Sequence, residues 1–109
     1  MLPIVYSAEA DAILSTGVWL GPERCNWALT KEQALAAVGR LRDAKCILLG
    51  GDVLSGPGKN FSPTYDNWYF EPSSPPTAED PSSSAYKASS YIKSYPVEDA
   101  YFVLVPRSA

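Results

Sequence analysis

The side chains of this sequence that could do chemistry are carboxylates, hydroxyls, two thiols and a dense run of aromatics, and histidine is absent from all 109 residues. That absence removes the commonest general base near neutral pH and the commonest zinc and copper ligand. Asp52, Asp66 and Glu71 fall at the ends of two expected neighbouring strands. Paired carboxylates can exchange protons in glycoside hydrolysis or hold a divalent ion through oxygen ligands, but this spacing specifies neither. Asp52 follows a glycine pair and fits a turn carboxylate that accepts from backbone N–H groups. Gly51 to Lys59 shares glycines and a lysine with phosphate-binding loops. Here Pro57 and Gly58 precede Lys59, and Asn60 replaces the hydroxyl that would hold magnesium, so a turn-rich hairpin loop is the better account. No G-x-S-x-G elbow occurs, and a Ser-His-Asp triad cannot be built without histidine. The reading is a chain that is not an enzyme, with no catalytic residue, no cofactor and no metal site.

Contact is the chemistry that remains. Tyr65-Asp-Asn-Trp-Tyr-Phe-Glu71 concentrates aromatics, and between Asn60 and Tyr86 there are four acids (Asp66, Glu71, Glu79, Asp80) and no base. Tryptophan and tyrosine dominate binding hot spots because they bury much area at low entropy cost and keep a polar handle. Neighbouring acids would steer a basic partner. In a strand, Tyr65, Asn67, Tyr69 and Glu71 share one face and Asp66, Trp68 and Phe70 the other. One aromatic set must be core, and the alternation alone leaves open which. The candidate partner-binding residues are Asp52, Tyr65, Asp66, Trp68, Tyr69, Glu71, Glu79 and Asp80.

Composition bounds the class. Hydrophobic residues make up 46% and charged residues 19%, the balance of a folded rather than a disordered chain. One domain spanning residues 1–109 buries roughly two thirds of its unfolded surface, enough for a core without staples. Net charge is −3, from 9 basic and 12 acidic residues, with no clustered basic excess of the kind that nucleic acid requires. No export signal and no bilayer-spanning stretch is expected, which gives a cytoplasmic reading with Cys25 and Cys46 as reduced, structural thiols. The chain is expected to be a monomer or a weak homodimer.

The positioning elements follow from local signals. Ser7 to Ser15 predicts a short helix with Ser7 as N-cap and Gly17 as its stop. Val18 to Leu29 is irregular but anchored by Trp19, Leu20, Trp27 and Leu29. Thr30 and Gln33 form a capping box before a helix whose buried stripe is Ala34, Leu35, Val38 and Leu41. Cys46-Ile-Leu-Leu reads as a buried strand closed by Gly50-Gly51, and Ser55 to Pro63 as a loop. Thr64 to Glu71 reads as a strand antiparallel to the first. Pro72 to Ser84 holds four prolines and five serines in thirteen residues and reads as a surface loop. A further helix starts near Asp80-Pro81, with Asp80 as N-cap and Ala85, Ala88, Ile92 and Tyr95 buried. Tyr101 to Val105 is a last strand, stopped by Pro106. The sum is a small α+β domain: a mostly antiparallel sheet of three or four strands with two to three helices packed against it.

Asn26-Trp27-Ala28-Leu29, an alanine- and leucine-rich helix, Ile47-Leu-Leu-Gly-Gly-Asp-Val53, Tyr65-Asp-Asn-Trp-Tyr69 and a later Ala88-x-x-Tyr-Ile92 helix occur in that order. The ordered set resembles the immunity proteins of bacterial polymorphic toxin systems, specifically the immunity protein 40 family, over residues 10 to 105. The resemblance implies a cytoplasmic protein that binds a cognate toxin domain and blocks it, without catalysis or cofactor. The rival readings are a small ligand-binding or hydrolytic domain using the clustered carboxylates, and a structural homodimer.

Overall fold

The computed structural model describes residues 4–56 and 61–108, so Lys59 and Asn60 of the glycine-rich stretch lie outside the described residues. The elements run α1 Ala8–Leu14, β1 Val18–Trp19, β2 Trp27–Thr30, α2 Lys31–Asp43, β3 Cys46–Ser55, β4 Ser62–Tyr69, α3 Asp80–Ser94 and β5 Tyr101–Ser108. The strands form one antiparallel sheet in the order β1-β2-β5-β3-β4. Its helical face meets all three helices in a core built around Leu14, Leu29, Leu41, Leu48, Ile92, Phe102 and Leu104. Because strand side chains alternate, Val103 between Phe102 and Leu104 falls in a second cluster with Ala28 and Leu54, which Leu20, Phe61 and Tyr101 partly cover.

The α+β class and antiparallel sheet are as expected, but there are five strands rather than three or four. The extra two lie in the segment expected to be irregular. β1 has two residues and pairs Val18 with Ala28 and Trp19 with Trp27, the two indole rings meeting at 4.9 Å. β2 runs straight into α2, so Thr30 is both its last residue and the helix N-cap. The capping box is present: Gln33 N–H donates to Thr30 Oγ1 at 3.2 Å, and Thr30 N–H to Gln33 Oε1 at 3.0 Å.

Gly50-Gly51 does not close β3, which runs on to Ser55 and is ten residues long in all. The glycines are there for space. A Cβ on Gly51 would lie 2.4 Å from the Val103 carbonyl oxygen and 2.7 Å from Trp68 Nε1. Gly17 likewise does not stop α1, which ends at Leu14 with Ser15 as C-cap; a Cβ there would sit 2.4 Å from the Ala28 carbonyl. Nor does Pro106 stop β5. It lies opposite Leu48, beside a register shift between Leu48 and Gly50, and β2 reaches only Tyr101 and Phe102. A missing N–H is tolerated where the ladder is already interrupted.

That shift leaves Leu48 N–H to a side chain. It donates to Ser84 Oγ at 2.9 Å, and the Ser84 hydroxyl donates to the Pro81 carbonyl at 3.0 Å, all fully buried. The proline- and serine-rich stretch is therefore divided: residues 72–79 connect β4 to α3, and 80–84 are helix. Asp80 is not the N-cap. Glu79 holds that position without a side-chain bond, and the Asp80 carboxylate turns back to accept from Ser73 N–H, Ser73 Oγ–H and Thr77 N–H at 3.0, 2.9 and 3.1 Å.

Candidate functional site

β4 is the sheet's long edge strand, and its distortion positions the candidate residues. β3 pairs Asp52 with Asn67 and then Leu54 with Pro63, so the register shifts between them. Tyr65 sits in the bulge with φ +68°, a left-handed conformation that is uncommon for a bulky residue. Thr64 Oγ1 stabilises the bulge by donating to the Val53 carbonyl at 2.9 Å and accepting from Asp66 N–H at 3.2 Å.

The alternation past the bulge turns Asp66, Trp68 and Phe70 toward the helices. Trp68 is buried, with its ring 6.4 Å from that of Tyr91 on α3. Phe70 packs against the main core. Asp66 meets the hydroxyl of Tyr95, the C-cap of α3, at 2.6 Å. That bond, with burial adding to it, raises the Tyr95 phenol above its ordinary range. Burial first, then the Asp66 charge, raises Tyr91 as well, with Asp52 contributing less. Both carboxylates therefore project negative potential over this end of the sheet.

Tyr65 and Tyr69 are the exposed pair, at 85% and 71%. The Tyr69 ring lies 5.1 Å from Lys87 Nζ, a cation–π contact. Asp52, Asp66, Glu71 and Glu79 are also exposed. Two of the sequence-predicted contact residues are not on the surface of the free chain: Trp68 is core, and Asp80 is 4% exposed and stitches the 72–79 connection. Burial alone would raise the Asp80 carboxyl, but the donors of Thr77 and Ser73 outweigh it and hold it below the usual carboxylate range.

Asp52 and Tyr65 line a cleft of about 520 Å³, whose floor includes Leu54, Val103 and Val105; Asp66 borders it, but its carboxylate is turned away to Tyr95. Tyr69, Glu71 and Glu79 do not line it. Sequence reasoning missed the opposite wall, where Leu20, Arg24, Asn26 and Tyr6 contribute. Asn26 is buried, and its Nδ2 donates to the Tyr6 hydroxyl at 2.7 Å and the Leu104 carbonyl at 3.0 Å. The signal for that wall was the anchored segment containing Trp19, Leu20 and Trp27, which must pack down somewhere. Among the described residues no group of three His, Cys, Asp or Glu could hold a metal ion, and no helix is long and apolar enough to cross a membrane.

A protein-family model described as Immunity protein 40 matches residues 15–106. Neither a curated protein nor a solved structure matches the chain.

Proposed function

The chain belongs to the Immunity protein 40 family, and on that premise we propose that it binds a cognate bacterial toxin domain one to one and neutralises it by occlusion. The observation that carries this reading is the edge of the sheet. Tyr65 and Tyr69 stand exposed on β4 beside Asp52, Asp66, Glu71 and Glu79. A bare edge strand with exposed aromatics invites a partner, and the surrounding acids select a basic one. Trp68 anchors β4 in the core, and Asp80 holds the connection that carries Glu79. On this reading the protein acts as a monomer or a weak homodimer in the cytoplasm, without catalysis or cofactor. Affinity comes from the desolvated tyrosine rings, and association rate from the carboxylates.

The test is coexpression with the toxin domain encoded by the neighbouring reading frame, followed by binding kinetics on the purified pair. The expected result is growth rescue, a 1:1 complex and an association rate that falls steeply as salt rises. A chain that neither rescues growth nor forms the complex would sink the reading. An association rate indifferent to salt would remove the role given to the acids.

A further inference from the structure

The open side of β4 is not uniform along its length. Phe70 N–H donates to the Leu49 carbonyl at 2.9 Å, and in an antiparallel pair alternate residues bond toward the neighbouring strand. Trp68, opposite Gly51, therefore bonds toward β3, while Asn67 and Tyr69 turn their N–H and C=O groups outward. Among the described residues no strand lies beyond β4 in the sheet order. The half nearer the N-terminus is blunted. Pro63 has no N–H to offer, the bulge at Tyr65 interrupts the ladder, and the Tyr65 carbonyl accepts from Asn67 Nδ2 at 3.4 Å. Asn67–Tyr69 has neither proline nor bulge. Its charged chain neighbours are Asp66 and Glu71, both exposed, and the base that reaches it is Lys87, with Nζ 5.1 Å from the centre of the Tyr69 ring. Asp52, opposite Asn67, shares its cleft with Arg24, so the acidic excess at this edge is that of Asp66 and Glu71 over Lys87.

We propose that the open half of β4 receives an extended, basic segment of the toxin domain as an added antiparallel strand, an inference that deepens the toxin-binding reading above and rests on it. The outward groups of Asn67 and Tyr69 pair with the segment's own backbone. A residue of the segment opposite Asp66 lies on the same face of the sheet, with Cβ atoms about 4.5–5.5 Å apart. A lysine or arginine there meets a carboxylate held in place by Tyr95. The segment's alternate residues, on the other face, lie against the exposed Tyr69 ring. A second copy of the chain fits worse, because it would bring the same acids, on a molecule of net charge −3, to face their duplicates.

The probe is the toxin domain encoded by the neighbouring reading frame, and the variants are Asn67→Pro and Asn67→Ala in the full chain. Proline deletes the outward N–H and alanine keeps it, while both lose the side-chain amide that reaches Tyr65. Proline is tolerated on an edge strand where the lost N–H faces away from the sheet, so the two variants should melt alike. Asn67→Pro should bind the toxin domain about tenfold more weakly than Asn67→Ala. A second measurement holds even where the proline variant fails to fold. In the complex of the unaltered chain, hydrogen exchange at Asn67 and Tyr69 N–H should slow about tenfold or more. Asp66→Asn combined with Glu71→Gln should slow association several-fold. Equal affinity of two folded Asn67 variants, or unchanged exchange at both amides, would overturn strand addition and leave toxin binding intact. Unchanged association in the charge variant would overturn the basic character of the segment. Loss of self-association in Asn67→Pro with toxin affinity unchanged would make a second copy the occupant and overturn the proposal. Absence of any complex with the unaltered chain would overturn the toxin-binding reading and the proposal together.

Discussion

The Tyr95 hydroxyl donates to Asp66 Oδ2 at 2.6 Å, tying the C-terminal end of α3 to the bulged edge strand β4. Tyr95 also meets Phe102 of β5 edge-on at 5.7 Å and Tyr91 at 6.0 Å. One phenol thus joins the bulged edge strand to the centre of the core.

That bond makes Tyr95 a reporter of the site. Its native pKa is raised above the ordinary 10.0, chiefly by the hydrogen bond to Asp66. A raised pKa contributes stability that is complete below the unfolded value and lost as pH rises through the native one. Stability should therefore fall above pH 10, and Asp66→Asn should bring Tyr95 ionisation toward lower pH. Tyrosinate absorbance at 295 nm measures it, and an unchanged curve in the variant would refute the coupling.

At the acid end the sign reverses. Asp80 is held below the ordinary carboxyl value of 3.8 by the donors of Thr77 and Ser73, against the opposing effect of burial. Unfolding then takes up a proton in the window between the native and unfolded values. The stabilisation is full above pH 3.8 and disappears as pH falls through the native value. Asp80→Asn should lower the melting temperature at pH 7 and flatten the acid limb of stability against pH. Parallel acid limbs in the two proteins would count against the assignment.

Ser84→Ala removes the acceptor of Leu48 N–H and buries it unpaired. A cost of about 1–3 kcal/mol is expected, measurable by urea unfolding. A difference within error would mean that Leu48 N–H finds another acceptor.

Tyr65 separates folding from binding. Its left-handed φ of +68° costs about 1–2 kcal/mol in a residue with a Cβ, and its ring is exposed. Tyr65→Gly should leave stability equal or up to about 1 kcal/mol higher, while β-branched Tyr65→Val lowers it. Both should weaken toxin binding by about 2 kcal/mol if the ring is a hot spot. Calorimetry of the folded chain and of the complex gives both numbers, and unchanged affinity would remove Tyr65 from the interface.

The thiols should differ too. Cys25 is exposed and Cys46 buried, and burial, with a smaller contribution from Glu9, raises the Cys46 pKa. One equivalent of Ellman's reagent should react in the native chain and a second only on denaturation. Two fast equivalents would show Cys46 to be reachable.

Legibility in the sequence followed the range of the interaction. The capping box of Thr30 and Gln33 and the buried stripe of α2 are local, so periodicity and a three-residue spacing reveal them. β1 and β2 exist because Trp19 and Trp27 pair across a turn, and two residues are too few to show a period. The role of Gly51 depends on Val103 and Trp68, both distant in sequence, so it reads as punctuation until they are placed. Alternation separated Trp68 from Tyr65 and Tyr69, but only the packing of Trp68 on Tyr91 decides which set is core. The cleft was not legible, since it needs the 20s segment laid across β3 and β5.

The sheet order has a consequence for how the protein comes into being. β5, the last of the eight elements along the chain, lies between β2 and β3. Every ladder bond joining the two halves of the sheet runs through it. On a translating ribosome, β3 and β4 can pair as a hairpin, but β2 has no route to them until residues 101–108 emerge. The complete five-stranded sheet is then an all-or-none property of the finished domain. A message truncated before codon 101 yields an acidic edge with no sheet to hold it.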